Sequence, residues 1–143
     1  MQLSASGQNK VDPNYKLLPG RIFEKVSKEY PFHESLPTSE MPDEIAGYII
    51  QHRFRKSIND WPLIQLGPGI ITLNDTSKYE WNDYRKRIHT LLDVLYATHP
   101  QPSNLILSGL SLRYIDAIGF GFQQEQHFYF LKKQDENRCE LEP

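Results

Sequence analysis

Hydrophobic and polar residues change their spacing several times along this chain, and each change marks an element. Between Pro19 and Tyr30, the residues Ile22, Phe23, Val26 and Tyr30 recur at intervals of three and four, the period of one helix face. Proline is tolerated in a first turn, and Pro31 lacks the N–H a continued helix would use, so a short helix is expected to stop there. From Phe32 to Glu44 the chain carries Pro37, Pro42 and several acidic residues, which predicts a surface loop. The period then becomes two. Tyr48, Ile50, His52 and Phe54 alternate with Ile49, Gln51, Arg53 and Arg55, so a half-buried strand is expected from Gly47 to Arg55.

Two short apolar segments, Leu63 to Leu66 and Ile70 to Asn74, flank Gly67-Pro68-Gly69 and predict a β-hairpin with a three-residue connection. A long helix from about Tyr79 to Thr98 follows. Ser77 and Glu80 have the spacing of a capping box, Trp81, Tyr84, Ile88, Leu91, Leu92 and Leu95 form an apolar stripe, and Pro100 and Pro102 end it. Leu105 to Ile118 reads as a long strand in which Gly109 marks a bulge or a close approach. These elements predict an α+β fold. An antiparallel or mixed sheet of about four or five strands carries one long and one short helix on one face. One domain is expected over residues 16–131, with polar termini at 1–15 and 132–143.

Composition narrows the function classes. A chain of 143 residues is long enough to bury a core without staples. Sixteen basic and eighteen acidic side chains leave a formal charge of −2, which argues against non-specific binding to nucleic acid. Cys139 is the only cysteine, so neither an internal disulfide nor a cysteine-rich metal site is expected. No apolar run approaches the ~18 residues of a membrane span, and the N-terminus lacks the apolar core of a secretory signal. A cytoplasmic location follows as the expectation.

Candidate chemistry is sparse. Arg113, Tyr114 and Asp116 form the densest polar cluster, and on a regular strand Arg113 faces away from the other two. Its guanidinium suits a bidentate contact with an anion. Arg53, Arg55 and Lys56 offer a basic stretch with no interleaved aromatics, which reads equally well as a solvated sheet face. His52 reads as a hydrogen-bonded edge of the core, and His33, His89, His99 and His127 have no metal-ligand spacing. Gly67-Pro68-Gly69 leads into a β-like segment without the lysine of a phosphate loop. Neither a metal nor a cofactor is therefore expected. Phe120, Phe122, Phe128, Tyr129 and Phe130 crowd the C-terminal quarter, as an oligomer interface would or as a satellite core would.

Taken in order, LPGRIFEKVSKEYP (Leu18 to Pro31), PLIQLGPGIITLND (Pro62 to Asp75), the helix start at Tyr79 and LSLRYIDAI (Leu110 to Ile118) resemble a sporadically distributed, uncharacterised bacterial protein family. The resemblance covers roughly residues 16 to 120. It implies that this chain is a shortened relative, or about the N-terminal half, of proteins whose second half adds further strands. It singles out Leu66, Gly67, Asn74, Arg113, Tyr114 and Ile115 as motif positions, and Asp116 stands where asparagine is expected. It brings no catalytic residues. The expectation is thus a non-enzymatic protein-interaction or ligand-binding module, working as a homo-oligomer (a homodimer first) or with an unidentified partner chain. The alternative is a small enzyme or nucleotide-binding domain in which Arg113 holds an anionic ligand near Tyr114 and Asp116.

Overall fold

The hairpin lies at the centre of a sheet. Strands β4 (Leu63–Gly67) and β5 (Ile70–Asn74) pair antiparallel, with Leu66 opposite Ile71 and Gly67 opposite Ile70. The connection is therefore two residues, Pro68 and Gly69, rather than three, and Gly69 supplies the positive φ of 77°. Gly67 belongs to the ladder for a different reason. A Cβ there would lie 2.0 Å from the Ile49 carbonyl oxygen, so the chain at 49–50 passes over a position only glycine leaves open.

In this computed structural model residues 2–5, 12–42, 45–76 and 79–115 are described, and the chain divides into two units, Met1–Ser111 and Leu112–Pro143. The first is α+β. Its remaining elements are β1 (Gln2–Ala5), α1 (Leu18–Val26), β2 (Phe32–Ser35), β3 (His52–Arg55), α2 (Trp81–Thr98) and β6 (Leu105–Gly109). Among the described residues six strands make one antiparallel sheet in the order β2-β3-β4-β5-β1-β6.

Register decides which residues meet. Phe54 faces Ile64, which faces Leu73, while His52 faces Leu66, which faces Ile71. Residues opposite one another share a face. On this face Phe54, Ile64, Leu66 and Ile71 form one core with Ile22 and Val26 of α1 and Leu91 and Leu95 of α2. The other face carries Glu34, Arg53, Arg55, Gln65, Thr72 and Asn74. The alternation read at His52–Arg55 and Leu63–Leu66 is the physical basis of this division.

The long helix starts at Trp81. Glu80 is its N-cap but makes no side-chain capping bond, and Ser77, the other half of the expected capping box, lies outside the described residues. The apolar stripe is buried at Leu91 and Leu95, whereas Trp81 remains 43% exposed. The Tyr84 hydroxyl donates to the Leu73 carbonyl at 2.7 Å and ties the start of the helix to β5. The short helix ends at Val26. A turn carries the chain to Tyr30, whose N–H donates to the Val26 carbonyl and whose ring is buried.

Four local readings change. The segment expected as a loop from Phe32 to Glu44 opens with the edge strand β2, because its backbone groups find partners on β3. Residues 47–51 are not strand: Tyr48 turns with φ 64° and donates its N–H to the Pro68 carbonyl. The polar N-terminal region contributes β1 and the buried Asp12 and Tyr15. The strand expected from Leu105 to Ile118 ends at Gly109, beside a register shift that fits the bulge read from that glycine. In the second unit the described residues, Leu112–Ile115, have no regular structure and are exposed. No helix among the described residues is long and apolar enough to cross a membrane.

Candidate functional site

A cleft of about 830 Å³ lies between the end of α1, the neighbouring strands and α2. Its apolar lining comes from Val26, Ile64 and Leu91 of the core and from Leu73 and Val94, which pack against it. The polar residues around it are strongly biased in sign: Lys25, Lys28, Lys56 and Lys86 all line it. None of these four makes an ion pair with a described residue.

Arg87 is different, because its charge is already committed. Its Nε donates to Asp83 Oδ2 at 2.7 Å, and its terminal nitrogen donates to Glu29 Oε1 and, at 3.3 Å, to the Tyr30 hydroxyl. Burial works against the guanidinium charge, but these bonds outweigh it and hold the group above its ordinary value. Burial pushes the Tyr30 phenol up, with the bond from Arg87 opposing it and Glu29 reinforcing it. The cluster clamps the turn after α1 to α2, forming one wall of the cleft. The carboxylates of Glu29 and Asp83 face Arg87 and leave the lysines to solvent or to a ligand.

A second, smaller cavity of about 120 Å³ lies beside Asp12 and His99. The pair resembles a catalytic dyad, with His99 Nε2 at 2.7 Å from Asp12 Oδ2. Its other bonds exclude that role. The Gln101 N–H donates to His99 Nδ1 at 3.0 Å, so the nitrogen that would serve as base is already occupied. Nδ1 is thus the acceptor and Nε2 the donor to the carboxylate. Asp12 Oδ1 accepts the Asn14 N–H, and the pair pins the segment before α1 to the C-terminus of α2.

The residues singled out in the sequence fall elsewhere. Arg113 and Tyr114 lie in the second unit, exposed and outside any strand, and Asp116 lies outside the described residues. Arg113 has no ion pair among the described residues. Phe120, Phe122, Phe128, Tyr129 and Phe130 also lie outside them. Arg53 and Arg55 share the outer sheet face with Glu34 at 3.7 and 3.8 Å, but their side chains are only 33% and 18% exposed, so this face is more covered than a fully solvated one. Lys56 parts from them and joins the cleft. Sequence reasoning missed the cleft because its lysines come from three separate segments, and each alone reads as an ordinary surface charge. Comparison with protein-family models, curated proteins and solved structures gives no match to this chain.

Proposed function

We propose that this chain is a non-enzymatic binding module whose cleft between α1 and α2 takes an organic anion with an apolar body. One observation carries the reading: four lysines without ion partners among the described residues surround an apolar lining. Ammonium groups gathered around one cleft repel one another, and an anionic head group relieves that repulsion. The aliphatic lining rewards an apolar chain or ring in proportion to the area it covers. The volume falls within the ~300–1,000 Å³ of small-molecule sites. Among the described residues no poised nucleophile or base lines the cleft: Tyr30 is bonded to Arg87, and the carboxylates of Glu29 and Asp83 are paired with it.

The test is a calorimetric titration with decanoate and, in parallel, with decanol. Decanoate is expected to bind at least tenfold more tightly, the equivalent of about 1.4 kcal/mol. Reversing two charges, Lys28→Glu with Lys86→Glu, is expected to abolish that preference, and raising the salt to weaken it. Equal affinity for the acid and the alcohol, or an unchanged preference in the double variant, would overturn the assignment.

A further inference from the structure

We propose that His33 and His52 form a two-imidazole site for a divalent transition cation, Zn²⁺, Ni²⁺ or Cu²⁺, at the β2 edge of the sheet. The two residues lie 19 apart in sequence, but the register of β2 and β3 makes them diagonal neighbours on one face. His33 Nε2 and His52 Nδ1 approach to 3.1 Å. Two metal–nitrogen bonds of about 2.0–2.1 Å at a tetrahedral angle place their nitrogens about 3.3 Å apart. A cation therefore fits between the rings after a small rotation of each.

The surroundings hold the rings where a cation needs them. The His33 ring packs against Phe54 at 5.0 Å and Phe23 at 5.3 Å between centroids, and the Tyr15 ring lies 6.5 Å from His52. These walls restrict imidazole motion without supplying a competing charge. Neither histidine makes another hydrogen bond or ion pair among the described residues, so His33 is free to carry its proton on Nδ1 and His52 on Nε2. Binding then needs one change of tautomer and no loss of a proton from the neutral pair. Both imidazoles are held below their ordinary value, chiefly by burial, which keeps them neutral and able to ligate at pH 7. No third histidine, cysteine or carboxylate joins them among the described residues. The other coordination positions fall to water or to a donor that a bound partner brings, which makes the site open and exchangeable.

The experiment is a competition titration of the chelator-treated full chain with Zn²⁺ alone, read through a chromophoric zinc indicator. Nitrogen-15 spectra of the imidazoles are recorded alongside. One Zn²⁺ per chain is expected, with the His33 and His52 ring resonances moving and those of His89 unmoved. His33→Ala and His52→Ala are each expected to weaken binding by roughly tenfold or more. Cu²⁺ is expected to bind more tightly than Zn²⁺, following the order of divalent affinities. Absence of stoichiometric binding overturns the proposal, and so does binding that both variants retain or ring resonances that stay fixed. The spectra test the wild-type chain directly, so the result does not depend on how well the alanine variants fold.

Discussion

Replacing Gly67 by alanine tests how the strand ladder and the turn before β3 fit together. The added Cβ would meet the Ile49 carbonyl oxygen at 2.0 Å, its carbon at 2.7 Å and the Ile50 Cα at 3.1 Å. All three are backbone atoms, so no side chain can swing aside, and the chain at 49–50 must retreat by about an ångström or more to reach ordinary contact. Two bonds fix that chain in place: Gln51 N–H to the Leu66 carbonyl at 2.9 Å and Tyr48 N–H to the Pro68 carbonyl at 2.7 Å. Losing or stretching both costs about 1 kcal/mol each, with a further ~1–3 kcal/mol if a buried group is left unpaired. Alanine's smaller unfolded-state entropy returns about 0.4–1 kcal/mol. The net expectation is a destabilisation of about 2–3 kcal/mol. At a urea slope of about 2 kcal/mol/M the unfolding midpoint falls by roughly 1–1.5 M. Gly20→Ala is the control, because nothing lies within 4 Å of its added Cβ and the position is helical. It is expected to stabilise the chain by about 0.5–1 kcal/mol. A Gly67→Ala midpoint within error of the wild type would refute the close approach on which this reasoning stands.

Two further outcomes follow from histidines. His99→Ala removes the donor to Asp12 Oδ2 in a pair whose side chains are only 2% and 9% exposed, and is expected to cost about 2–3 kcal/mol. Calorimetry should show that loss as a melting temperature lower by roughly 5–10 °C. Stability should also depend on pH through His33 and His52. Both are depressed below 6.5 in the folded chain, by burial in each case and additionally by His33 for His52. The unfolded chain therefore binds more protons as pH falls past 6.5, so their contribution is complete above that value and declines below it. Urea midpoints at pH 7.5 and 5.5 should differ less in a His33→Gln, His52→Gln chain than in the wild type, and equal differences would contradict the assignment.

What could be read from the sequence was whatever a local pattern encodes. The alternation at His52–Arg55 was legible because its core face is apolar and its other face polar, which stamps a period of two on the chain, and the hairpin was legible from two apolar segments flanking Gly67-Pro68-Gly69. The Trp81–Thr98 helix was legible from its stripe and its closing prolines. Strand β2 was not. Phe-His-Glu-Ser has all four residues exposed and sits between prolines, so nothing in it distinguishes an edge strand from a loop until β3 is beside it. The same limit hid the sites. Asp12 and His99 are 87 residues apart, and the lysines of the cleft converge only when α1, α2 and the residue after β3 are in place.

Strands β2, β3, β4 and β5 neighbour one another in both sequence and space, so each can join the sheet soon after it is made. β1 obeys a different schedule. It leaves the ribosome ahead of every other described strand, yet its partners are Ile70 on β5 and the residues from Leu105 to Gly109 on β6. It must wait until the meander and then α2 have been synthesised, while the loop it finally closes is the longest in the sheet. A strand that waits unpaired is an invitation to wrong partners. Gln-Leu-Ser-Ala is short and half polar, a composition that keeps such a strand quiet until β5 and β6 arrive.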